Sequence, residues 1–153
     1  MSKSIRVRTL AFMLACVSLC MMFSVSSSAV VHAHASEIAT PYYNNVVSAR
    51  STATISDSGL LTIKNSYVGI DGVTTKAVIT TYVEKKVLGL FWTRVDIGTT
   101  DDEWVDTIYD SIYEGVHTFQ LSSKGTYRVT VTFTIYGTDG SPDEIIKEIE
   151  KEY

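Results

Sequence analysis

The 153-residue chain carries 13 Lys+Arg against 17 Asp+Glu, a formal charge of −4, with 45% hydrophobic and 20% charged residues. The acidic balance excludes nucleic-acid binding by phosphate neutralisation. With 2 Pro and 9 Gly, the chain is neither collagen-like nor Pro-rich, and its apolar content is that of a folded domain.

The first 35 residues read as an export signal. Lys3, Arg6 and Arg8 make a basic start without an acid, and Leu10 to Val25 is an apolar run without a charge. Small residues follow, ending in Ala33-His34-Ala35, which places cleavage after Ala35; Ala29 and Ala33 also satisfy the small-residue rule. The run is short for a membrane span of ~20 residues. A lipidated reading at Cys16 leaves too little apolar run before that cysteine. Both cysteines, Cys16 and Cys20, would leave with the signal, so the exported chain needs no disulfide. The domain plan is a signal peptide over 1–35, an N-terminal arm over 36–45 and a β-sandwich over 46–153. The expected location is secreted, outside the cell.

Residues 36–153 hold 18 Thr, 12 Val and 12 Ile, with 9 Tyr, against only 4 Ala and 5 Leu. β-branched and aromatic side chains suit a pleated, half-buried surface, so the composition predicts an all-β domain. Their charge is 10 basic against 17 acidic residues, or −7.

In chain order, Val47 to Ile55 predicts a strand with Val47, Ala49, Ala53 and Ile55 on one face, closed by Asp57-Ser58-Gly59. Leu61, Ile63 and Tyr67 mark a second strand, ended by Asp71-Gly72. Thr75 to Lys86 is a third, and Trp92 to Ile97 a fourth. Trp104, Ile108 and Ile112 fall four apart behind Asp101, Asp102 and Glu103, which predicts one short amphipathic helix around 102–114. A strand there would put Asp106 and Asp110 on the apolar face. Thr118 to Leu121 is a short strand. Tyr127 to Ile135 alternates without exception, and Asp139-Gly140 follows as a hairpin turn. The last segment has a helix-like start at Ser141-Pro142, but Ile145, Ile149 and Tyr153 alternate with charges; a charged final strand is the reading taken. About seven such strands make an antiparallel immunoglobulin-like β-sandwich.

Gly125-Thr126-Tyr127-Arg128-Val129 matches the Gly-x-Tyr-x-Cys entry to an immunoglobulin strand, with Val129 at the cysteine position. It nominates Tyr127 as a structural corner whose hydroxyl ties back to the backbone.

Chemistry is sparse. His117 is the only histidine after residue 35, so neither a Cys/His nucleophile pair nor a His-rich zinc site can be assembled. It reads as structural. Asp96, Asp101, Asp102, Glu103, Asp106 and Asp110 read as a solvated acidic face, with a cation site as the lesser alternative. The expectation is a protein that is not an enzyme and has no catalytic residue, metal or cofactor.

Lys85-Lys86-Val87-Leu88-Gly89-Leu90-Phe91-Trp92-Thr93-Arg94 is the unusual stretch. Val87, Leu88, Leu90, Phe91 and Trp92, flanked by Lys85, Lys86 and Arg94, make either a docking loop for an envelope surface or two longer strands with a buried run.

Lys85-Lys86, the hairpin ending in Trp92-x-x-Val95, and Ser123 to Val129 resemble small secreted Gram-positive proteins that carry a signal peptide ahead of one immunoglobulin-like sandwich. The resemblance implies export and a sandwich, and no activity. The functional expectation is therefore binding at or outside the cell envelope, to a protein, glycan or envelope polymer, with membrane contact at most peripheral and no nucleic acid. The rival readings are a bacteriocin-like or toxin-like envelope effector and, further off, a hydrolase.

Overall fold

A computed structural model describes residues 43–138 and 140–153. The segment read as a signal peptide, most of the arm and Asp139 lie outside the described residues. Eight strands form two antiparallel sheets, and there is no helix among the described residues. They are β1 (Val46–Ile55), β2 (Leu60–Gly69), β3 (Thr74–Val87), β4 (Phe91–Arg94), β5 (Glu103–Ile108), β6 (Ile112–Gln120), β7 (Thr126–Gly137) and β8 (Asp143–Glu152). One sheet runs β1-β2-β6. The other runs β4-β3-β7-β8, with β5 pairing the same edge of β3 as β4 does.

The two inner faces bury one core. Leu61, Ile63, Ala77, Ile79, Val83, Val131, Phe133 and Ile135 are sealed from solvent, with Tyr67 and Tyr127 almost so. The period-two pattern of β7 places Tyr127, Val129, Val131, Phe133 and Ile135 inward, as the sequence pattern requires. Tyr127 is wedged where β7 begins, and its hydroxyl donates to the Ser123 carbonyl at 2.6 Å. Two polar devices tie the layers. Ser51 Oγ donates to Asn65 Oδ1 at 2.7 Å, and Asn65 Nδ2 donates to Thr81 Oγ1 at 2.9 Å, which links β1 and β2 to β3. At the other end, Asp143 accepts from the backbone amides of Asn44 at 3.1 Å and Asn45 at 2.7 Å. Asn45 Nδ2 in turn donates to the carbonyls of Ile135 and Ser141, pinning the chain before β1 against β7 and β8.

Four expectations are corrected. The helix around 102–114 is absent: Glu103–Ile108 is a strand in register with Ala77–Tyr82, and Ile112 opens β6. The acid that made a strand look poor, Asp106, finds His117 on the other sheet: His117 Nε2 lies 2.8 Å from Asp106 Oδ2. A local pattern cannot show a partner eleven residues away across the sandwich. The strand over Thr118–Leu121 accordingly starts earlier and runs Ile112–Gln120. The register of β1 shifts at Val47, so Val46 is buried while Val47 is 66% exposed, the reverse of the expected face. The expected strand Trp92–Ile97 pairs only over Phe91–Arg94. The final segment is a strand, in register with β7 from Thr126 to Ile135.

Candidate functional site

The site is built by the length of β3. Fourteen residues at ~3.3 Å each outrun its neighbour, since the pairing of β3 with β7 stops at Lys85–Tyr127. Beyond that point Lys86 and Val87 pair only with β4, whose ladder with β3 runs from Glu84–Arg94 to Val87–Phe91. The hairpin tip therefore overhangs the end of the β3–β7 pairing, and among the described residues no second layer covers it.

Leu88 and Gly89 turn the chain with φ of 53° and 69°, and Leu90 N donates to Val87 O at 3.1 Å. Two positive-φ residues at the centre of a tight hairpin are the mirror-image turn that matches strand twist, and Asn-Gly is its favoured sequence. Leucine at the first of these positions is strained, because its Cβ crowds the following carbonyl; the left-handed conformation costs about 1–2 kcal/mol. That leucine gains nothing from burial. Leu88 is 84% exposed, Leu90 74%, Phe91 63% and Val87 41%. The alternative in which longer strands bury the run does not hold for these four.

The fifth apolar residue, Trp92, has a different role. It is half-buried on the outer face of the sheet, with Lys86 Nζ 5.3 Å and Arg128 Cζ 4.4 Å from its ring. Arg128 is fixed in turn by Glu84, with Nε at 3.0 Å and Nη2 at 2.7 Å from one carboxylate oxygen. That bond holds the Arg128 proton more firmly than usual. Arg94 stacks on Tyr82 at 3.5 Å from the ring centre, and its Nη1 lies 3.9 Å from Glu103. Lys85 points the other way: its Nζ donates to Ser123 Oγ at 2.6 Å and lies 5.6 Å over the Tyr127 ring. The arrangement thus joins the four tip residues to Lys86, Trp92 and Arg94 and sets Lys85 apart, against the corner loop. Arg128, Tyr82 and Glu84 belong to the same surface. The sequence signal for them is register: once β3 and β7 pair at Lys85–Tyr127, Arg128 must stand beside Glu84.

The acidic stretch disperses. Asp96 caps the Gly98 amide at 2.8 Å, Asp106 meets His117, and the Asp110 carbonyl accepts from Tyr67 Oη. Among the described residues no three His, Cys, Asp or Glu side chains gather as a metal site. Around His117, Trp104 stacks on the imidazole at 4.9 Å between ring centres. Tyr113 shares Asp106; its phenol is pushed up to about 12 by burial first, then by the charge and hydrogen bond of Asp106. This cluster closes the flank between β5 and β6.

No protein-family model matches the chain, and no curated protein matches it.

Proposed function

We propose that this is an exported β-sandwich that acts by binding, and that the β3–β4 tip is its contact surface for an anionic face of the cell envelope. One observation carries the reading: Leu88, Leu90, Phe91 and Val87 stand exposed at an overhanging turn in which Leu88 holds a strained left-handed backbone. A turn selected for folding alone would carry Asn-Gly and polar neighbours. The tip carries instead the side chains that partition best out of water. Behind them Lys86 and Arg94 supply positive charge on a domain whose residues 36–153 sum to −7. An apolar tip backed by cations is suited to shallow insertion beside anionic headgroups, a peripheral contact. The export signal over 1–35 belongs to the same proposal.

Co-sedimentation with anionic phosphatidylglycerol vesicles, against neutral phosphatidylcholine vesicles, tests it. Leu90→Ser with Phe91→Ser removes about 3 kcal/mol of transfer free energy, so binding to anionic vesicles is expected to fall roughly 100-fold at unchanged stability. If the pair lowers the melting temperature and leaves vesicle binding intact, the surface has been misassigned.

A further inference from the structure

The edges of the two sheets are not guarded equally. β8 ends one sheet with Glu144, Glu148, Glu150, Lys151 and Glu152 along it, and β4 and β5 at the other edge are only four and six residues long. In the second sheet, β1 is interrupted by the irregularity at Val47 and carries Arg50. Charge, brevity and bulges are the usual protections of a free edge. β6 has the least of them. It is nine residues long and in unbroken register with β2 from Val68–Ile112 to Leu60–Gln120. It contains no proline or lysine, and its one outward charge is Glu114.

Among the described residues no strand pairs with the outer edge of β6, and the orientation of the backbone groups there follows from the register. Gly69 N donates to Ser111 O at 2.6 Å. In an antiparallel ladder the bonded pairs alternate, so the odd-numbered residues of β6 exchange bonds with β2. The N–H and C=O groups of Ile112, Glu114, Val116, Thr118 and Gln120 therefore point away from the sheet. Their side chains lie on its outer face, with Ile112 68% and Val116 53% exposed.

We infer that β6 is a self-pairing edge: two copies of the chain join antiparallel about a two-fold axis at Val116, making one continuous six-stranded sheet. The partner is a second copy because the strand faces itself without a like-charge clash in this register, the one that uses its full length. Pairing all nine residues sets Val116 opposite the partner's Val116, Glu114 opposite the partner's Thr118, and Ile112 opposite the partner's Gln120. No like charges meet. Lys64 flanks Val116 on β2 and is separated from its own copy by both β6 strands. A centre at Glu114 would oppose two carboxylates, and any other centre shortens the ladder. An isologous contact of this kind closes on itself and does not grow into fibres.

Thr118 reads the register with both signs. Sedimentation equilibrium of the full chain is expected to show a concentration-dependent dimer. Thr118→Lys sets a lysine opposite Glu114 twice per dimer and is expected to tighten it by at least about threefold. Thr118→Glu sets two carboxylates opposite Glu114 and is expected to weaken it by a similar factor. Glu114→Lys combined with Thr118→Glu restores an opposite-charge pair and is expected to recover the dimer. All of these side chains are outward, so at concentrations where the chain is monomeric the melting curves should match wild type. A wild type that stays monomeric at every concentration overturns the inference, as do Thr118→Lys and Thr118→Glu shifting the equilibrium in the same direction. Neither readout involves the β3–β4 tip.

Discussion

Tyr127 gives the sharpest test of the fold. Its ring is 2% exposed and its hydroxyl donates to the Ser123 carbonyl at 2.6 Å. The same serine accepts from Lys85 through its hydroxyl, so the turn from Leu121 to Thr126 is clamped by two side chains. Tyr127→Phe removes one bond and leaves the ring. It also strands a carbonyl in a tight corner, so the loss is expected at about 0.5–1.5 kcal/mol. Tyr127→Ala empties the corner as well. The cavity adds to the lost bond, for a total of about 3–5 kcal/mol. For a domain of about 110 residues, 1 kcal/mol corresponds to roughly 4–6 °C in melting temperature. The Phe variant should thus melt a few degrees lower, and the Ala variant should unfold at a far lower urea concentration with an unchanged slope. A Phe variant that superimposes on wild type in urea would refute the corner bond as a stabilising contact.

Three further outcomes follow from the same contacts. Asp143→Ala removes the acceptor for the Asn44 and Asn45 amides, two charge-assisted bonds, and urea titration is expected to show a loss of about 2–4 kcal/mol. Asn65→Ala leaves Ser51 and Thr81 without their shared partner, and the same titration should show a loss of about 1–3 kcal/mol. The folded chain holds the Tyr113 proton up to about 12, whereas the unfolded chain releases it near 10. The folded state therefore binds more protons between those values, and stability declines as pH rises through that window. Tyr113→Phe should flatten this decline, as read by melting temperature from pH 9 upward.

The strands that were legible in the sequence are those whose partners leave no trace of conflict in it. β7 alternates without exception because one of its faces is core along its whole length. β8 was readable as a strand only by asking what β7 would pair with, since its local start favours a helix. β5 was not readable, because Asp106 sits on an inward face and its partner His117 comes from the other sheet. Trp104 and Ile108 are four apart and suit a helix as well as a strand, and burial of the acid decides between them. Val47 failed for a related reason: a bulge costs one residue of register and inverts the face of everything before it. In the candidate site, the apolar tip was visible as a run that no polar turn interrupts. Arg128 was not, because its place beside Trp92 depends on the β3–β7 register and on the reach of a long side chain.

The central claim is that the tip is kept for contact at a cost to the fold, and Leu88→Asn measures both sides of it. Asparagine tolerates positive φ, so the variant should be more stable than wild type by about 0.5–1 kcal/mol. Removing a leucine that is 84% exposed takes nothing from the core but about 2 kcal/mol from insertion, so binding to phosphatidylglycerol vesicles should fall roughly 10- to 30-fold. A higher melting temperature together with weaker vesicle binding is the predicted result. A variant that binds those vesicles as wild type does, or that melts lower, would contradict the account.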